Sequence, residues 1–108
     1  KGTWAEAKAE AKKTGKLIFV DAYAAWCGPC KWMAANSFTD KNVGAYFNEK
    51  FINVKMDMEK GEGPSLSSTF GIRVYPTLLF INGDGKIIQK TEGALDANGL
   101  LDLGKKVK

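Results

Sequence analysis

Histidine is absent from this chain of 108 residues, and cysteine occurs only twice, in the motif Cys27-Gly28-Pro29-Cys30. A closed structural zinc site takes a full tetrahedral set of ligands, which are normally cysteine and histidine. Zinc would therefore need carboxylates or a second subunit to complete its coordination. We expect neither a metal nor a cofactor in this protein.

Long apolar runs are absent too. The longest, 17–20 and 77–81, are far shorter than the roughly 20 residues that cross a bilayer. We therefore expect no stable membrane insertion. Because the chain begins at Lys1 rather than at a methionine, we expect a processed or trimmed form from which any leader has already been removed.

Positive charge is only slightly in excess. Lysine and arginine number 16 against 12 aspartate and glutamate, a net charge of +4, with the densest lysine cluster at residues 105–108. No arrangement of basic and aromatic side chains accompanies that cluster, so we expect no binding of nucleic acid.

The hydrophobic share of the residues, 44%, is enough for a core without disulfide staples. The length fits one domain, which we place at 1–108.

Helix and strand signals alternate along the chain. Thr3 and Glu6 have the spacing of a capping box at the start of a first helix, and Gly15 suits its left-handed C-terminal cap. An apolar run over 17–20 predicts a buried central strand. The later patterns predict a helix that begins at the cysteine motif, a short helix capped by Thr39 or Asp40, a strand over 52–56, a short helix from Pro64 that ends before Gly71, strands over 77–81 and 86–90, and a last helix from about Asp96.

The order of these elements predicts an α/β fold. Residues 82–85, Asn-Gly-Asp-Gly, are a strong hairpin signal, so the last two strands should be antiparallel. The first two strands are joined through helices and should be parallel. We expect a central mixed β-sheet flanked by helices on both faces.

The cysteine motif admits three interpretations: a redox dithiol, half of a metal site, or an incidental pair of buried thiols. Its position favours the first. Cys27 follows a strand and lies where a helix begins, so its sulfur faces unpaired backbone N–H groups and the positive end of the helix dipole, which stabilise the thiolate. Cys30 lies one helical turn later and can reach back to close a disulfide. We therefore expect Cys27 to be the nucleophile and Cys30 the resolving thiol.

Two separated segments carry a resemblance to a known family. Residues 20–31, Val-Asp-Ala-Tyr-Ala-Ala-Trp-Cys-Gly-Pro-Cys-Lys, closely resemble the active-site segment of thioredoxins. Residues 70–80 resemble the segment that carries the family's cis-proline, and the two segments come in the family's order. The chain is identified as a member of the thioredoxin superfamily, which implies the thioredoxin fold. Segment 37–43 is similar to bacterial envelope thioredoxin-like proteins, the group that includes thiol–disulfide interchange proteins and disulfide isomerases.

The resemblance gives roles to two charged residues. Asp21 matches the family's buried acid beneath the cysteine pair, where its pKa would be raised and it would relay the proton of Cys30. Lys55, on the neighbouring strand, matches the family's lysine near that acid. Judged from the residues alone, a surface aspartate at a strand end and a solvated strand lysine stay open as alternatives.

The resemblance also implies a substrate-binding edge beside the cysteines. Pro76 matches the cis-proline, and a cis bond there would place the backbone of Tyr75 beside Cys27, with its N–H and C=O available to an extended substrate. Tyr75 stands where thioredoxins often have a smaller apolar residue, a departure that bears on substrate preference.

Further contacts with substrate are expected from the motif itself. Trp26 would be partly exposed next to the first cysteine, and Gly28 and Pro29 lie between the two cysteines. Trp32 and Met33 have the spacing of core residues, and we give them no role in binding.

The sequence therefore predicts a thiol–disulfide oxidoreductase that reduces or isomerises disulfides in protein substrates. The Gly28-Pro29 dipeptide resembles that of reducing members, and the histidine typical of disulfide-forming members is absent. The second partner would be a reductant-supplying protein, either a membrane electron carrier or a thioredoxin reductase. We expect a monomer in the periplasm or cell envelope, with the cytoplasm as the alternative compartment. A non-catalytic thioredoxin-like binding module and a metal-bridged dimer are the rival interpretations.

Overall fold

The computed structural model describes residues 3–107. Its elements, in chain order, are α1 (Trp4–Thr14), β1 (Leu17–Tyr23), α2 (Gly28–Asn36), α3 (Lys41–Lys50), β2 (Phe51–Asp57), α4 (Gly63–Phe70), β3 (Thr77–Ile81), β4 (Ile87–Glu92) and α5 (Ala97–Val107). Every element expected from the sequence is present. The differences lie at element ends, where β1 continues through Tyr23 and β4 runs on to Glu92.

The strands form one mixed sheet in the order β2-β1-β3-β4. Strand β1 is parallel to β2 and antiparallel to β3, and β3 is antiparallel to β4. The predicted mixed sheet and its hairpin are therefore confirmed. In this register Asp21 of β1 lies opposite Lys55 of β2, so the two charged residues singled out from the sequence are neighbours across the sheet.

Alternate residues of β1 bury opposite faces of the sheet, because side chains along a strand alternate in direction. Ile18 and Val20 belong to a cluster with Trp4 of α1 and residues of α4. Phe19 belongs to a second cluster, with residues of α2, α3 and α5. Both faces of the sheet are thus covered by helices, as expected.

Local capping signals set several helix ends. At α1, the Thr3 hydroxyl accepts from the Glu6 N–H at 3.1 Å and the Glu6 carboxylate accepts from the Thr3 N–H at 2.9 Å, which is the predicted capping box. Gly15 ends α1 with φ of 77°, the left-handed conformation that favours glycine. Asp40, rather than Thr39, caps α3, and its carboxylate accepts from two backbone N–H groups.

The expectation that Trp32 is a core residue is wrong. Met33 is fully buried, whereas 47% of Trp32 is exposed. Neighbouring helix positions are about 100° apart around the axis, so when α2 turns Cys30 and Met33 inward, Trp32 points to solvent.

Within residues 3–107, no helix is both long and apolar enough to cross a bilayer.

Candidate active site

The two cysteines lie at the junction of β1 and α2. Cys27 is the N-cap of α2, and Pro29 occupies the first helical turn, where a missing N–H costs nothing. The two cysteines form a disulfide, with their Cα atoms 5.3 Å apart. The Cys27 Sγ also accepts the backbone N–H of Cys30, at an N···S distance of 3.2 Å. The sulfur that the sequence predicts to be the nucleophile therefore lies at the N-terminal end of α2. It accepts a hydrogen bond from one of the free N–H groups of that helix.

The disulfide lies just below the surface. Only 3% of Cys27 and 8% of Cys30 is exposed. Both pack with Ala24, and the partly buried rings of Tyr23 and Tyr75 pack against this group. The rings of Tyr23 and Tyr75 therefore form an edge beside the disulfide.

The segment before β3 forms that edge. The Tyr75–Pro76 peptide bond is cis. Two hydrogen bonds flank it: the Thr77 hydroxyl donates to the Val74 carbonyl at 2.7 Å, and the Gly93 N–H donates to the Pro76 carbonyl at 2.9 Å. Residues of β3 and of the segment after β4 thus hold the loop that presents Tyr75 to the cysteines.

Trp26 lies exposed beside the disulfide, with 65% of its surface accessible. Its ring meets the Tyr75 ring edge to face, with centroids 5.6 Å apart. The indole N–H donates to both carboxylate oxygens of Glu59, at 2.9 and 3.0 Å. Glu59 was not identified from the sequence, because nothing in its local pattern shows a contact with a residue so far away along the chain. Gly28 and Pro29 are exposed between the cysteines.

Asp21 is a buried carboxylate on the sheet face that also carries Phe19. It is 7% exposed, and its Oδ1 has no hydrogen-bond partner in the described structure. Burial raises the pKa of Asp21 to about 6, against the opposing effect of the Lys55 charge. A carboxylate with such a pKa exchanges protons near neutral pH, which is the property a proton relay requires.

Lys55 lies across the strand from Asp21 but forms no ion pair with it within 4.0 Å in the described residues. Its Nζ instead stands 5.0 Å from the centre of the Tyr23 ring, in a cation–π contact. Lys55 is exposed, so its charge acts on Asp21 from the solvent side. The structure thus brings Asp21, Lys55 and Tyr23 together, and of these three it is Tyr23 that packs against the cysteine pair.

Metal-binding side chains are not grouped in the described part of the chain. Between residues 3 and 107, no three histidine, cysteine, aspartate or glutamate side chains come together at a distance suited to one metal ion.

Comparison with known proteins gives a consistent relationship. The profile of a family described as Thioredoxin-like matches residues 1–83. Thioredoxin 2 of Chlorobaculum tepidum is 37% identical over 91 residues, which are 84% of this chain and 78% of that protein. Protein disulfide-isomerase of Datisca glomerata is 34% identical over 90 residues, and these are 83% of this chain but 18% of that protein.

A solved structure agrees with these sequence matches. The solution structure of a candidate disulphide-isomerase from Bacteroides thetaiotaomicron is 44% identical to this chain and superposes with a TM-score of 0.83. The match covers 99% of this chain and 91% of that one. Sequence, fold and paired cysteines agree, and the chain belongs to the thioredoxin-like family of thiol–disulfide oxidoreductases.

Proposed function

We propose that this chain, as a monomer and a single domain over 1–108, reduces or isomerises protein disulfides in the periplasm or cell envelope. The observation that carries the proposal is the position of the Cys27 sulfur as the N-cap of α2, where it accepts the Cys30 N–H. That environment favours a thiolate over a thiol, and the thiolate is the species that attacks disulfides.

The reduction proceeds in two exchange steps. In the reduced domain, the Cys27 thiolate attacks one sulfur of the substrate disulfide, forms a mixed disulfide and releases the other substrate sulfur as a thiolate. Cys30 then loses its proton, attacks the Cys27 sulfur and releases the second substrate thiolate. The substrate gains two electrons, and the domain is left with the Cys27–Cys30 disulfide that the structure contains.

Asp21 accepts the proton of Cys30 in the second step. Its pKa of about 6 leaves it largely ionised at neutral pH, so it is a base in the resting protein. Lys55 stabilises that ionised form from across the strand and so keeps Asp21 in the state that accepts a proton. Removal of Asp21 should slow the second step and leave the first largely unchanged.

The substrate binds along the edge that covers the cysteines. The backbone of Tyr75 and Pro76 offers an extended peptide a strand-like partner, a mode that accepts many sequences. Exposed Trp26, with Gly28 and Pro29 beside it, supplies apolar contact area. These contacts suit unfolded or protein substrates rather than one small molecule.

The direction of exchange and the partners follow from the motif and the resemblance. The Gly28-Pro29 dipeptide lacks the histidine that favours disulfide-forming members, so the domain acts as a reductase or isomerase. A reductant-supplying protein, either a membrane electron carrier or a thioredoxin reductase, returns it to the dithiol form. The similarity of segment 37–43 to envelope thioredoxin-like proteins supports the envelope as its compartment.

Insulin reduction by dithiothreitol tests the proposal. The wild-type protein should accelerate precipitation of the insulin B chain, and Cys27→Ser should reduce the rate to that of dithiothreitol alone. Cys30→Ser should accumulate a mixed disulfide with the substrate, visible by mass spectrometry, since the resolving thiol is gone. Ala35→Ser, an exposed position of α2, is the matched control and should retain full activity. No acceleration by the wild type would leave a binding module as the better account.

A further inference from the structure

Ser37 caps the C-terminal end of α2 and carries a fully buried hydroxyl. The residue is 0% exposed, and its Oγ donates to the Leu95 carbonyl at 2.6 Å. The two residues are 58 positions apart along the chain. A buried hydroxyl without a partner is costly, whereas a paired one fixes the two groups that it joins. This bond therefore holds the end of α2 against the segment that follows β4.

A second bond from the same helix holds Leu95. The Leu95 N–H donates to the Met33 Sδ at 3.5 Å, so the N–H and the C=O of this residue both bond to side chains of α2 and its C-cap. Met33 and Ser37 are four residues apart and lie on one face of the helix. Cys30, one turn before Met33, is buried on that side as well. Leu95 is therefore docked along the helix face that carries the resolving cysteine.

The other end of this segment reaches the loop beside the cysteines. Two residues before Leu95, the Gly93 N–H donates to the Pro76 carbonyl at 2.9 Å. Gly93 has φ of 99°, in the left-handed region that favours glycine, so the chain can turn away from β4 at this point. Pro76 follows Tyr75, whose ring packs against the cysteine pair. Segment 93–95 thus connects α2 to the loop that presents Tyr75.

Few other contacts fix that loop relative to the helix. Among residues 3–107, no hydrogen bond joins α2 directly to residues 72–76. The sheet fixes the end of the loop at Thr77, which pairs with Ala22 of β1. Segment 93–95 is therefore the hydrogen-bonded connection that relates the position of the loop to that of α2, and Ser37 holds it from the helix side.

We propose that Ser37 is a positioning residue for peptide substrates: through segment 93–95, its hydroxyl sets the spacing between the cysteine pair and the backbone of Tyr75. A peptide that pairs with this backbone needs its disulfide held within reach of the Cys27 sulfur, and small misplacements slow such reactions. A small disulfide that contacts only the cysteines does not depend on that spacing. The inference rests on the proposed function and adds a residue that the exchange steps themselves do not use.

The test compares two substrates, with dithiothreitol as the reductant: an unstructured peptide dimer joined by one disulfide, and hydroxyethyl disulfide, which is too small to lie along the loop. Ser37→Ala should lower kcat/KM for the peptide about three- to tenfold, the effect of one lost hydrogen bond, and leave kcat/KM for hydroxyethyl disulfide unchanged. Ser37→Thr keeps the hydroxyl and should restore the wild-type ratio. Thr39→Ala, which removes a hydroxyl that bonds to the Ala35 carbonyl of α2, is the matched control and should behave as the wild type does.

Amide hydrogen exchange of the oxidised proteins tests the positioning without turnover. Loss of the Ser37 hydroxyl should speed exchange of the Gly93 N–H about three- to tenfold, because the bond to Pro76 opens more often when the segment is released from α2. The Gly85 N–H, which bonds to the Asn82 carbonyl in the turn between β3 and β4, should exchange as in the wild type.

The outcomes separate this inference from the proposed function. A Ser37→Ala protein that reduces the peptide as well as the wild type does, or that loses activity equally on both substrates, would overturn the positioning role, and so would unchanged exchange of Gly93. Met33→Leu keeps the side-chain volume, removes the other bond to Leu95 and should shift the substrate ratio in the same direction. Failure of the wild type to reduce either substrate would instead contradict the proposed function, and the exchange of Gly93 would still decide whether Ser37 holds the loop.

Discussion

Replacement of Asp21 by asparagine should remove a pH dependence of stability that this one carboxyl imposes on the fold. Its pKa is 3.8 in its ordinary state and about 6 in the folded protein, where burial is the main cause of the shift. The folded protein holds the Asp21 proton more tightly than the unfolded chain does, so protonation of Asp21 stabilises the fold. This stabilisation is fully present below about pH 4 and is lost as the pH rises through about 6.

The size of the effect follows from the shift. A shift of about two pKa units, at about 1.4 kcal/mol each, amounts to roughly 3 kcal/mol of unfolding free energy between about pH 4 and pH 8. In Asp21→Asn this loss is absent. The difference in stability between variant and wild type should therefore grow in favour of the variant by up to about 3 kcal/mol across that range.

Equilibrium urea unfolding of the oxidised proteins, followed by circular dichroism at several pH values, measures the difference. Any constant penalty for the new amide cancels, because only the change with pH is compared. Asp102→Asn, an exposed carboxyl of α5, is the control and should track the wild type. Parallel curves for Asp21→Asn and wild type would refute the reasoning, because they would mean that the folded protein does not raise the pKa of Asp21.

Three further contacts give separate predictions. Asp40→Ala should lower the unfolding free energy by about 1 kcal/mol, because α3 loses its N-cap; Thr39→Ala, measured by the same urea titration, should cost clearly less. The Lys90 ammonium donates to the carbonyls of Phe70 and Gly71 at 3.1 and 2.9 Å, so Lys90→Met should cost about 1 kcal/mol, whereas Lys86→Met should leave the urea midpoint unchanged. Glu59→Leu should move the Trp26 indole N–H resonance upfield through loss of its hydrogen bonds, and an unmoved resonance would contradict the contact.

The parts of the structure that depend on local signals could be predicted from the sequence. The capping box at Thr3, the left-handed Gly15 and the helix that begins at the cysteine motif each depend on residues within one turn of one another. The order of strands and helices then restricts the topology, because a parallel pair needs a crossover and a short glycine-containing turn makes a hairpin.

The errors and omissions concern contacts made at a distance along the chain. Trp32 was expected in the core from its spacing along the helix, but its direction depends on how α2 lies on the sheet. Glu59 reaches Trp26 from the segment after β2, and no local pattern reports that contact. A space of about 310 Å³ between α2, α3 and the sheet depends on how these elements pack together, so it became visible only in the structure.

The central claim is that the N-terminus of α2 activates the Cys27 thiol. Its most direct test is the pH dependence of alkylation of Cys27 by iodoacetamide in the reduced protein, followed by mass spectrometry of the peptide that contains it. The reference is a synthetic peptide of residues 24–31, which has the same local sequence without the folded helix. The account predicts a half-maximal rate for the protein at least about one pH unit below the ordinary thiol value of about 8.5. Coincident curves for protein and peptide would contradict it.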